Sequence, residues 1–206
     1  MMKLYDFPQS PNCQKVRLVL AEKELSYETV FVDLMKDAQR SPDFLRLNPY
    51  GKVPILIDED DVIYDSTIIN EYLDDEYPHP PLMPTESDER ARARMFEDFA
   101  DNSFTPQSNV LAAELSKPAD QIDNERVQRY RADLVRVLEF LERHLEDKEF
   151  LAQEFSLADV AFVPRLLALP YLGVEVPDTL KNVQAWLDRL KQRPTVQKLQ
   201  HELASS

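Results

Sequence analysis

The spacing of apolar residues changes in character after residue 77. Up to that point, short runs typical of strands alternate with stretches in which apolar residues recur at the helical period. The predicted strands span 3–7, 27–32, 53–57 and 62–64, and the predicted helices span 11–24, 42–47 and 66–76. Strands and helices in this order predict a small mixed sheet covered by helices.

Beyond residue 77 the pattern is helical, apart from a proline-rich stretch at its start. Four prolines fall within residues 77–84, and they predict a stiff, extended connector because proline fixes φ and lacks an N–H donor. One of the following helices carries a single apolar stripe formed by Val127, Tyr130, Leu134, Leu138, Leu141 and Leu145. We therefore predict an α/β domain at 1–77, a linker at 78–86 and an all-helical domain at 87–206.

The composition excludes several classes of protein. With 24 lysines and arginines against 38 aspartates and glutamates, the chain has a formal net charge of -14, which argues against a general nucleic-acid or anionic-membrane binder. The two glycines, Gly51 and Gly173, are too few for a Gly-rich phosphate loop. We therefore expect neither direct nucleic-acid binding nor a nucleotide-cradling enzyme.

Cysteine and histidine content bears on redox state and on metals. The single cysteine, Cys13, cannot form an internal disulfide, and with three scattered histidines it makes a poor set of metal ligands. Asp6 and Pro8 interrupt the N-terminal stretch, so no secretory signal is predicted, and no run approaches the roughly 18 apolar residues of a membrane span. We expect a cytoplasmic protein that uses no metal and binds no membrane.

The first candidate for chemistry is Ser10, where the first predicted strand turns into the first predicted helix. Ser10 is a favourable N-cap and Pro11 a favourable first helical residue, so a purely structural role accounts for both. The same geometry also suits catalysis, because a helix start stabilises an anion such as a thiolate. A serine hydroxyl there could donate a hydrogen bond to a substrate's sulfur. The residues alone leave both interpretations open.

Two further segments have a structural and a functional interpretation. Pro54 suits the start of a strand, but a cis Val53–Pro54 bond would turn the Val53 N–H and C=O outward to pair with an extended peptide. The sequence does not determine that isomer. Ser66 is an expected N-cap for the helix at 66–76. With Asp65 beside it, the same helix start could hold a zwitterion, the N–H groups taking its carboxylate and Asp65 its ammonium group.

Together these segments resemble the glutathione transferase superfamily, and the resemblance covers nearly the whole chain. The matching stretches are Ser10-x-x-Cys13, the run NPYGKVP at 48–54, and the Asp65-Ser66 pair. The resemblance implies an α+β fold, with a thioredoxin-like glutathione-binding domain at 1–77 followed by an all-helical domain. It also implies glutathione as cosubstrate and a homodimer.

The resemblance assigns roles to individual residues. Ser10 would meet the glutathione sulfur, and glutathione would be bound by Arg40, Lys52, Val53, Pro54, Asp65 and Ser66, with Val53–Pro54 cis. The match at Arg40, near the glycine carboxylate, is loose. The acidic residue of the pair is usually Glu, so Asp65 is a shortened variant.

Serine at position 10 also bears on the class of reaction. Superfamily members with cysteine there carry out thiol exchange, whereas Ser10 resembles serine-type forms, including bacterial ones, that support conjugation. Without that nucleophilic partner, Cys13 is expected to be inert. We expect an apolar electrophile and place its wall at Phe96, Phe99, Asn102 and Ser103, although such aromatic residues also suit an ordinary core.

A second resemblance points to a protein that is not an enzyme. The runs 71–84, 154–157 and 169–173 are similar to bacterial stringent starvation protein A, which shares the transferase fold and associates with RNA polymerase. In that family the residues matching Pro78, His79 and Pro80 form a required surface, which would link the chain to a stress response rather than to detoxification. We place the transferase first because the glutathione-site residues are retained.

A capping box is expected in the helical part of the chain. Ser156 and Asp159 have the required spacing, and Phe155 and Val160 are spaced as a hydrophobic staple. This segment resembles the superfamily's folding motif, so we assign it a structural role.

Overall fold

The computed structural model describes residues 1–204, and the chain divides into two compact units. The first unit contains Met1–Leu82 together with residues 197–204, and the second contains Met83–Val196. The division differs from the predicted segments at two places. Residues 78–82 belong to the first unit rather than to a separate linker, and so do residues 197–204.

The first unit is built on a four-stranded mixed sheet. Its strands are β1 (Lys3–Asp6), β2 (Glu28–Phe31), β3 (Ile55–Asp58) and β4 (Asp61–Tyr64), in the spatial order β2-β1-β3-β4. β1 pairs with β2 in parallel, while β1 with β3 and β3 with β4 are antiparallel. The predicted mixed sheet is therefore confirmed, and a turn at Glu59 and Asp60 closes the β3–β4 hairpin.

Alternation along the strands gives the sheet two buried faces. Leu4 of β1 and Leu56 of β3 are paired in register and both are fully buried. Their neighbours Tyr5 and Ile55 point to the opposite face, where they join a second apolar cluster that includes Phe44. The helices that cover the sheet are α1 (Pro11–Glu22), α2 (Pro42–Leu47) and α3 (Ser66–Glu76).

The proline-rich stretch is fixed to the first unit by one buried lysine. The fully buried Nζ of Lys23 in α1 donates to the carbonyl oxygens of Tyr77 at 2.7 Å and Pro80 at 2.9 Å, and it pairs with Asp74 of α3 at 2.7 Å. Asp74 in turn accepts from the amide of Leu82 at 2.8 Å. These bonds explain why residues 78–82 are part of the first unit, and His79 is left exposed on the turn they hold.

The second unit is helical throughout its regular structure, as predicted. Its helices are α4 (Ser87–Phe99), α5 (Thr105–Leu115), α6 (Asn124–His144), α7 (Leu157–Ala168) and α8 (Lys181–Gln192), and α9 (Pro194–Ala204) leads back to the first unit. A π-helical segment, Ala100–Phe104, separates α4 from α5.

The predicted capping box begins α7 and is largely buried. The carboxylate of Asp159 accepts from the Ser156 amide at 3.0 Å, from the Leu151 amide at 3.1 Å and from Nε1 of Trp186 at 2.8 Å. Burial raises the pKa of Asp159 to about 6, although these hydrogen bonds oppose the shift. Asp159 therefore joins three parts of the second unit, which supports a structural role.

Candidate functional site

The first unit contains a cavity of about 560 Å³ beside the loop that precedes β3 and the start of α3. Its lining residues are Asn12, Asn48, Tyr50, Lys52, Val53, Pro54, Tyr64, Asp65, Ser66 and Ile68. The structure thus brings together five of the residues that the sequence assigned to glutathione binding. They come from positions 52–54 and 65–66, which are separated along the chain by the β3–β4 hairpin.

The loop at one wall of the cavity is organised by Asn48. Its buried side chain donates from Nδ2 to the carbonyl of Lys52 at 2.8 Å and accepts at Oδ1 from the amide of Tyr50 at 3.0 Å. Gly51 between them has a φ of +59°, a conformation that favours glycine. The Val53–Pro54 bond that follows is cis, as the resemblance predicted.

The start of α3 also lines the cavity, and here the structure corrects the sequence prediction. Asp65, not Ser66, is the N-cap, since its Oδ1 accepts from the amides of Thr67 at 3.0 Å and Ile68 at 3.3 Å. Ser66 is the first helical residue and is buried. Asp65 has φ 75° and ψ 127°, a region that residues with a side chain rarely adopt and that is typical of functional sites.

Ser10 is the N-cap of α1, as predicted, and lies at the start of the helix that contributes Asn12 to the cavity wall. Ser10 itself is not one of the lining residues. Its Oγ accepts from the Cys13 amide at 3.4 Å, which is a long hydrogen bond, and its own amide donates to the Phe7 carbonyl at 2.8 Å. An accepted bond leaves the hydroxyl proton for another acceptor.

Cys13 is fully buried inside the first unit. Burial and the nearby carboxylate of Asp6 raise the pKa of its thiol to about 12. The thiol is therefore protonated at neutral pH, which agrees with the expectation that Cys13 is inert.

Arg40 lies beside the cavity without lining it. It ends a short 3₁₀ turn, Ala38–Arg40, and its side chain packs over the loop, because a Cβ placed on Gly51 would come within 2.9 Å of Nη1 of Arg40. The exposed guanidinium thus flanks Lys52, which is on the wall. The structure brings Arg40 close to the candidate site but not into it.

The four residues expected to contact the electrophile separate into two pairs. Phe96 and Phe99 line a second cavity, of about 750 Å³, on the second unit together with Met95, Phe140 and His144. Asn102 and Ser103 are not among its lining residues. They lie in the π-helical segment, where Asn102 donates to Oδ1 of Asp98 at 2.7 Å.

The sequence interpretation gave no role to several residues that line the first cavity. They are Asn12, Asn48, Tyr50, Tyr64 and Ile68. Two of them had a local signal, since Asn48 opens the NPYGKVP run and Tyr64 directly precedes Asp65. The rings of Tyr50 and Tyr64 meet edge to face with centroids 6.0 Å apart, a contact between a loop and the end of β4 that no local pattern indicates.

Within residues 1–204 no group of three or more His, Cys, Asp or Glu side chains has an arrangement that could hold a metal ion. In the same part of the chain no helix has the length and apolar character needed to cross a membrane.

Comparison with known proteins defines the class. Residues 4–81 match the glutathione S-transferase N-terminal domain, and residues 80–194 match the glutathione S-transferase C-terminal domain. The chain therefore belongs to the glutathione S-transferase family, which agrees with the thioredoxin-like sheet and the helical second unit.

Individual relatives carry two different names. The chain is 34% identical over 205 residues to glutathione S-transferase 3 of Zea mays, covering 96% of this chain and 92% of that protein. It is also 34% identical over 194 residues to the stringent starvation protein A homolog of Pasteurella multocida, covering 94% and 87%. Among solved structures it resembles the glutathione transferase URE2P8 from Phanerochaete chrysosporium with oxidized glutathione, with a TM-score of 0.87, 29% identity and coverage of 100% and 97%.

Proposed function

We propose that this protein is a glutathione transferase that joins the thiolate of glutathione to a small apolar electrophile. The observation that carries the proposal is the cavity of the first unit, where Lys52, Val53 and Pro54 share one site with Asp65 and Ser66 at the start of α3. Lys52 offers a positive charge, and the start of α3 offers a helix N-terminus beside the carboxylate of Asp65, so the two suit the charged ends of a short acidic peptide. The backbone of Val53 suits the extended backbone of the same peptide.

The γ-glutamyl end of glutathione would bind at the start of α3. Its α-carboxylate would bind at Ser66, the first residue of α3, where the dipole favours an anion, because the Thr67 and Ile68 amides already donate to Asp65. The Asp65 side chain lies at the same point and offers a negative charge to the α-ammonium group. Asp65 also caps its own helix, so one carboxylate would both hold the helix start and bind the ligand.

The rest of the tripeptide would follow the loop wall. The backbone groups of Val53 would pair with the cysteinyl residue, as an added strand pairs with a sheet edge. Lys52 lies on this wall, and Arg40 flanks it across Gly51, so both are suited to the glycine carboxylate.

Ser10 would activate the thiol. Its hydroxyl proton can be donated to the glutathione sulfur while Oγ accepts from the Cys13 amide, and the start of α1 adds a favourable field for a thiolate. The thiolate then attacks the electrophile, so that the nucleophile belongs to the cosubstrate and not to the protein. Phe96 and Phe99, with Asn102 and Ser103, remain our candidates for the electrophile's wall.

Binding to immobilised glutathione tests the proposal. The wild-type protein should be retained and then eluted by free glutathione, and Lys52→Met and Asp65→Ala should each weaken retention. Lys3→Met is a matched control, because Lys3 lies on β1 and forms an exposed pair with Glu28 at 3.8 Å, away from the cavity lining. Wild-type protein that passes through the column unretained would contradict the proposal.

We also propose that the protein is a cytoplasmic homodimer acting in detoxification, in keeping with its family and with C2 pairing as the commonest oligomeric arrangement. Light scattering at micromolar concentration should give twice the mass of one chain. A mass near that of a single chain would contradict the dimer.

A second candidate function is that of a regulator associated with RNA polymerase, as implied by the resemblance to stringent starvation protein A. The observation that favours it is the turn at Pro78, His79 and Pro80, which Lys23 holds in one conformation with His79 exposed. Such a preformed turn suits a protein partner.

A pull-down distinguishes this candidate. Wild-type protein should recover RNA polymerase, and His79→Ala should lose it while keeping its glutathione retention. No polymerase recovered by the wild-type protein would remove this candidate and leave the transferase.

A further inference from the structure

The segment that joins β1 to α1 and ends at Ser10 is held by side chains of the helix that follows it. The carbonyl oxygen of Pro8 accepts from Nε2 of Gln14 at 2.9 Å and from Nη2 of Arg17 at 3.0 Å. The Ser10 amide donates to the carbonyl of Phe7 at 2.8 Å. Two successive carbonyls ahead of Ser10 are therefore fixed by hydrogen bonds.

Arg17 connects this segment to two other elements. Its Nη1 lies 3.5 Å from Oδ2 of Asp6 at the end of β1 and 3.7 Å from Oε2 of Glu202 in α9. The side chains of Asp6 and Arg17 are only 2% and 13% exposed, so the pair carries a substantial desolvation cost. Because apolar residues of similar volume often stabilise a fold equally well, stability alone does not explain a charged pair at this point.

We propose that Arg17 is a positioning residue for Ser10: by joining Pro8, Asp6 and Glu202 it fixes the segment ahead of α1 and thereby sets the direction of the Ser10 hydroxyl. The inference rests on the proposed function in one respect, because the sulfur that the Ser10 hydroxyl would contact is that of glutathione. Arg17 itself would not contact glutathione, since it is not among the residues that line the cavity.

Arginine is suited to this role in a way that lysine is not. Its planar guanidinium directs several N–H donors at once, which allows one group to reach a carbonyl and two carboxylates. Arg17 uses Nη2 for the Pro8 carbonyl and Nη1 for the two carboxylates, and the single nitrogen of a lysine cannot occupy both positions at once. Arg17→Lys therefore separates positioning from charge.

The first experiment measures order directly and needs no glutathione. In Arg17→Lys the Ser10 amide should exchange its hydrogen with solvent faster by about tenfold or more, because the segment that holds its acceptor is loosened. Amides of the β3–β4 hairpin should be unaffected, and Lys3→Met serves as the control. Unchanged exchange at Ser10 would overturn the proposal.

The second experiment measures the consequence for chemistry. Arg17→Lys should lower kcat by about tenfold with KM for glutathione nearly unchanged, since a hydrogen bond to the sulfur is misdirected while the binding walls stay intact. The pKa of the bound thiol, followed by thiolate absorbance, should rise. Glu202→Gln should change both quantities in the same direction but less, because Glu202 is 41% exposed.

A double-mutant comparison separates this inference from the proposed function. If Arg17 acts through Ser10, Arg17→Lys should have little further effect on kcat when Ser10 is already Ala. Full additivity of the two substitutions would overturn the positioning role while leaving the transferase intact. A wild-type protein that neither binds nor conjugates glutathione would instead refute the proposed function, and the exchange measurement would still test the order that Arg17 imposes.

Discussion

Ser10 and Ser156 occupy the same position on two helices but have different surroundings. Both are N-caps, of α1 and of α7. Ser156 is buried, and its hydroxyl donates to Oδ2 of Asp159 at 3.3 Å while its amide donates to the same oxygen at 3.0 Å. Ser10 is half-buried, and its hydroxyl accepts from the Cys13 amide at 3.4 Å.

The comparison shows that the cap position alone does not decide what a serine does. At Ser156 the hydroxyl proton is directed at a buried carboxylate, so the group is occupied within the fold. At Ser10 the cap bond is long and uses the oxygen as acceptor, which leaves the proton for a ligand. The partner of the hydroxyl, and not the residue type, separates the structural serine from the candidate catalytic one.

The largest effect is expected from removing the Ser10 hydroxyl. Ser10→Ala should lower the conjugation rate by about ten- to hundredfold, since a hydrogen bond to a charged group contributes about 1.5–3 kcal/mol. Glutathione affinity should change little, because the walls that hold the peptide remain. Steady-state kinetics at saturating glutathione measures this, and equal kcat values in Ser10→Ala and wild type would show that Ser10 is only a helix cap.

The pH dependence of stability tests the Ser156 cap through its partner. Because burial raises the pKa of Asp159 to about 6, the folded chain binds this proton more tightly than the unfolded chain does. The protonated Asp159 carboxyl contributes fully to stability below its pKa in the unfolded chain, near 3.8. That contribution is lost as pH rises through its pKa in the folded chain, about 6. The free energy of unfolding of wild type relative to Asp159→Asn should therefore fall by up to about 3 kcal/mol across this window.

Urea unfolding of both proteins at several pH values measures that difference. A difference that stays constant between pH values on either side of the window would contradict the assignment. The same comparison between wild type and Ser10→Ala provides the control, since the hydroxyl of Ser10 caps α1 without a carboxylate partner of this kind.

A smaller effect is expected from truncating the structural serine itself. Ser156→Ala should lower the free energy of unfolding by about 1–2 kcal/mol, because it removes a cap and a hydrogen bond to the buried Asp159. The kcat of the folded protein should not change. Ser10→Ala should cost less than about 1 kcal/mol, because its cap bond is long. Equal losses in the free energy of unfolding in the two variants would contradict the distinction between Ser156 as a structural cap and Ser10 as a candidate catalytic residue.

The smallest expected effect is a gain of activity. Ser10→Cys places a thiol at a helix start, where its pKa falls, and should introduce some thiol–disulfide exchange at the expense of conjugation. The gain should be limited because Cys13, its potential resolving partner, is buried and has a pKa of about 12. After incubation of Ser10→Cys with oxidised glutathione, one half of which leaves as the thiol, mass spectrometry should detect a persistent mixed disulfide between the protein and the other half. Absence of this mixed disulfide would contradict the prediction.

Local patterns are sufficient to predict much of the fold. The helices predicted over 42–47 and 66–76 have the predicted bounds in the structure, because a serine cap and proline mark the first and an aspartate–serine pair marks the second. The π-helical segment Ala100–Phe104 is not predicted, since it interrupts a sequence whose periodicity is continuous. Its cause lies in packing within the second unit and not in local propensity.

The residues of the candidate site can be predicted where they lie together in a short sequence motif. Lys52, Val53 and Asp65 stand in short motifs, so the sequence alone is enough to select them as candidates. The sequence prediction that Ser66 caps α3 is wrong, and Asp65 is the N-cap. The local sequence does not indicate that an aspartate at this position has a positive φ. Asn12 requires the fold itself, which brings the start of α1 to the same cavity as the start of α3.

Lys23 has a consequence for the chemical reactivity of the protein. An amine reacts with acylating reagents through its free lone pair, but the Nζ of Lys23 is inaccessible to solvent and engaged with Asp74, Tyr77 and Pro80. Surface lysines such as Lys36, which is 83% exposed, should be labelled long before it. Lys23 can be labelled only when the turn that carries His79 opens. The rate at which Lys23 is labelled would therefore measure how often that turn opens.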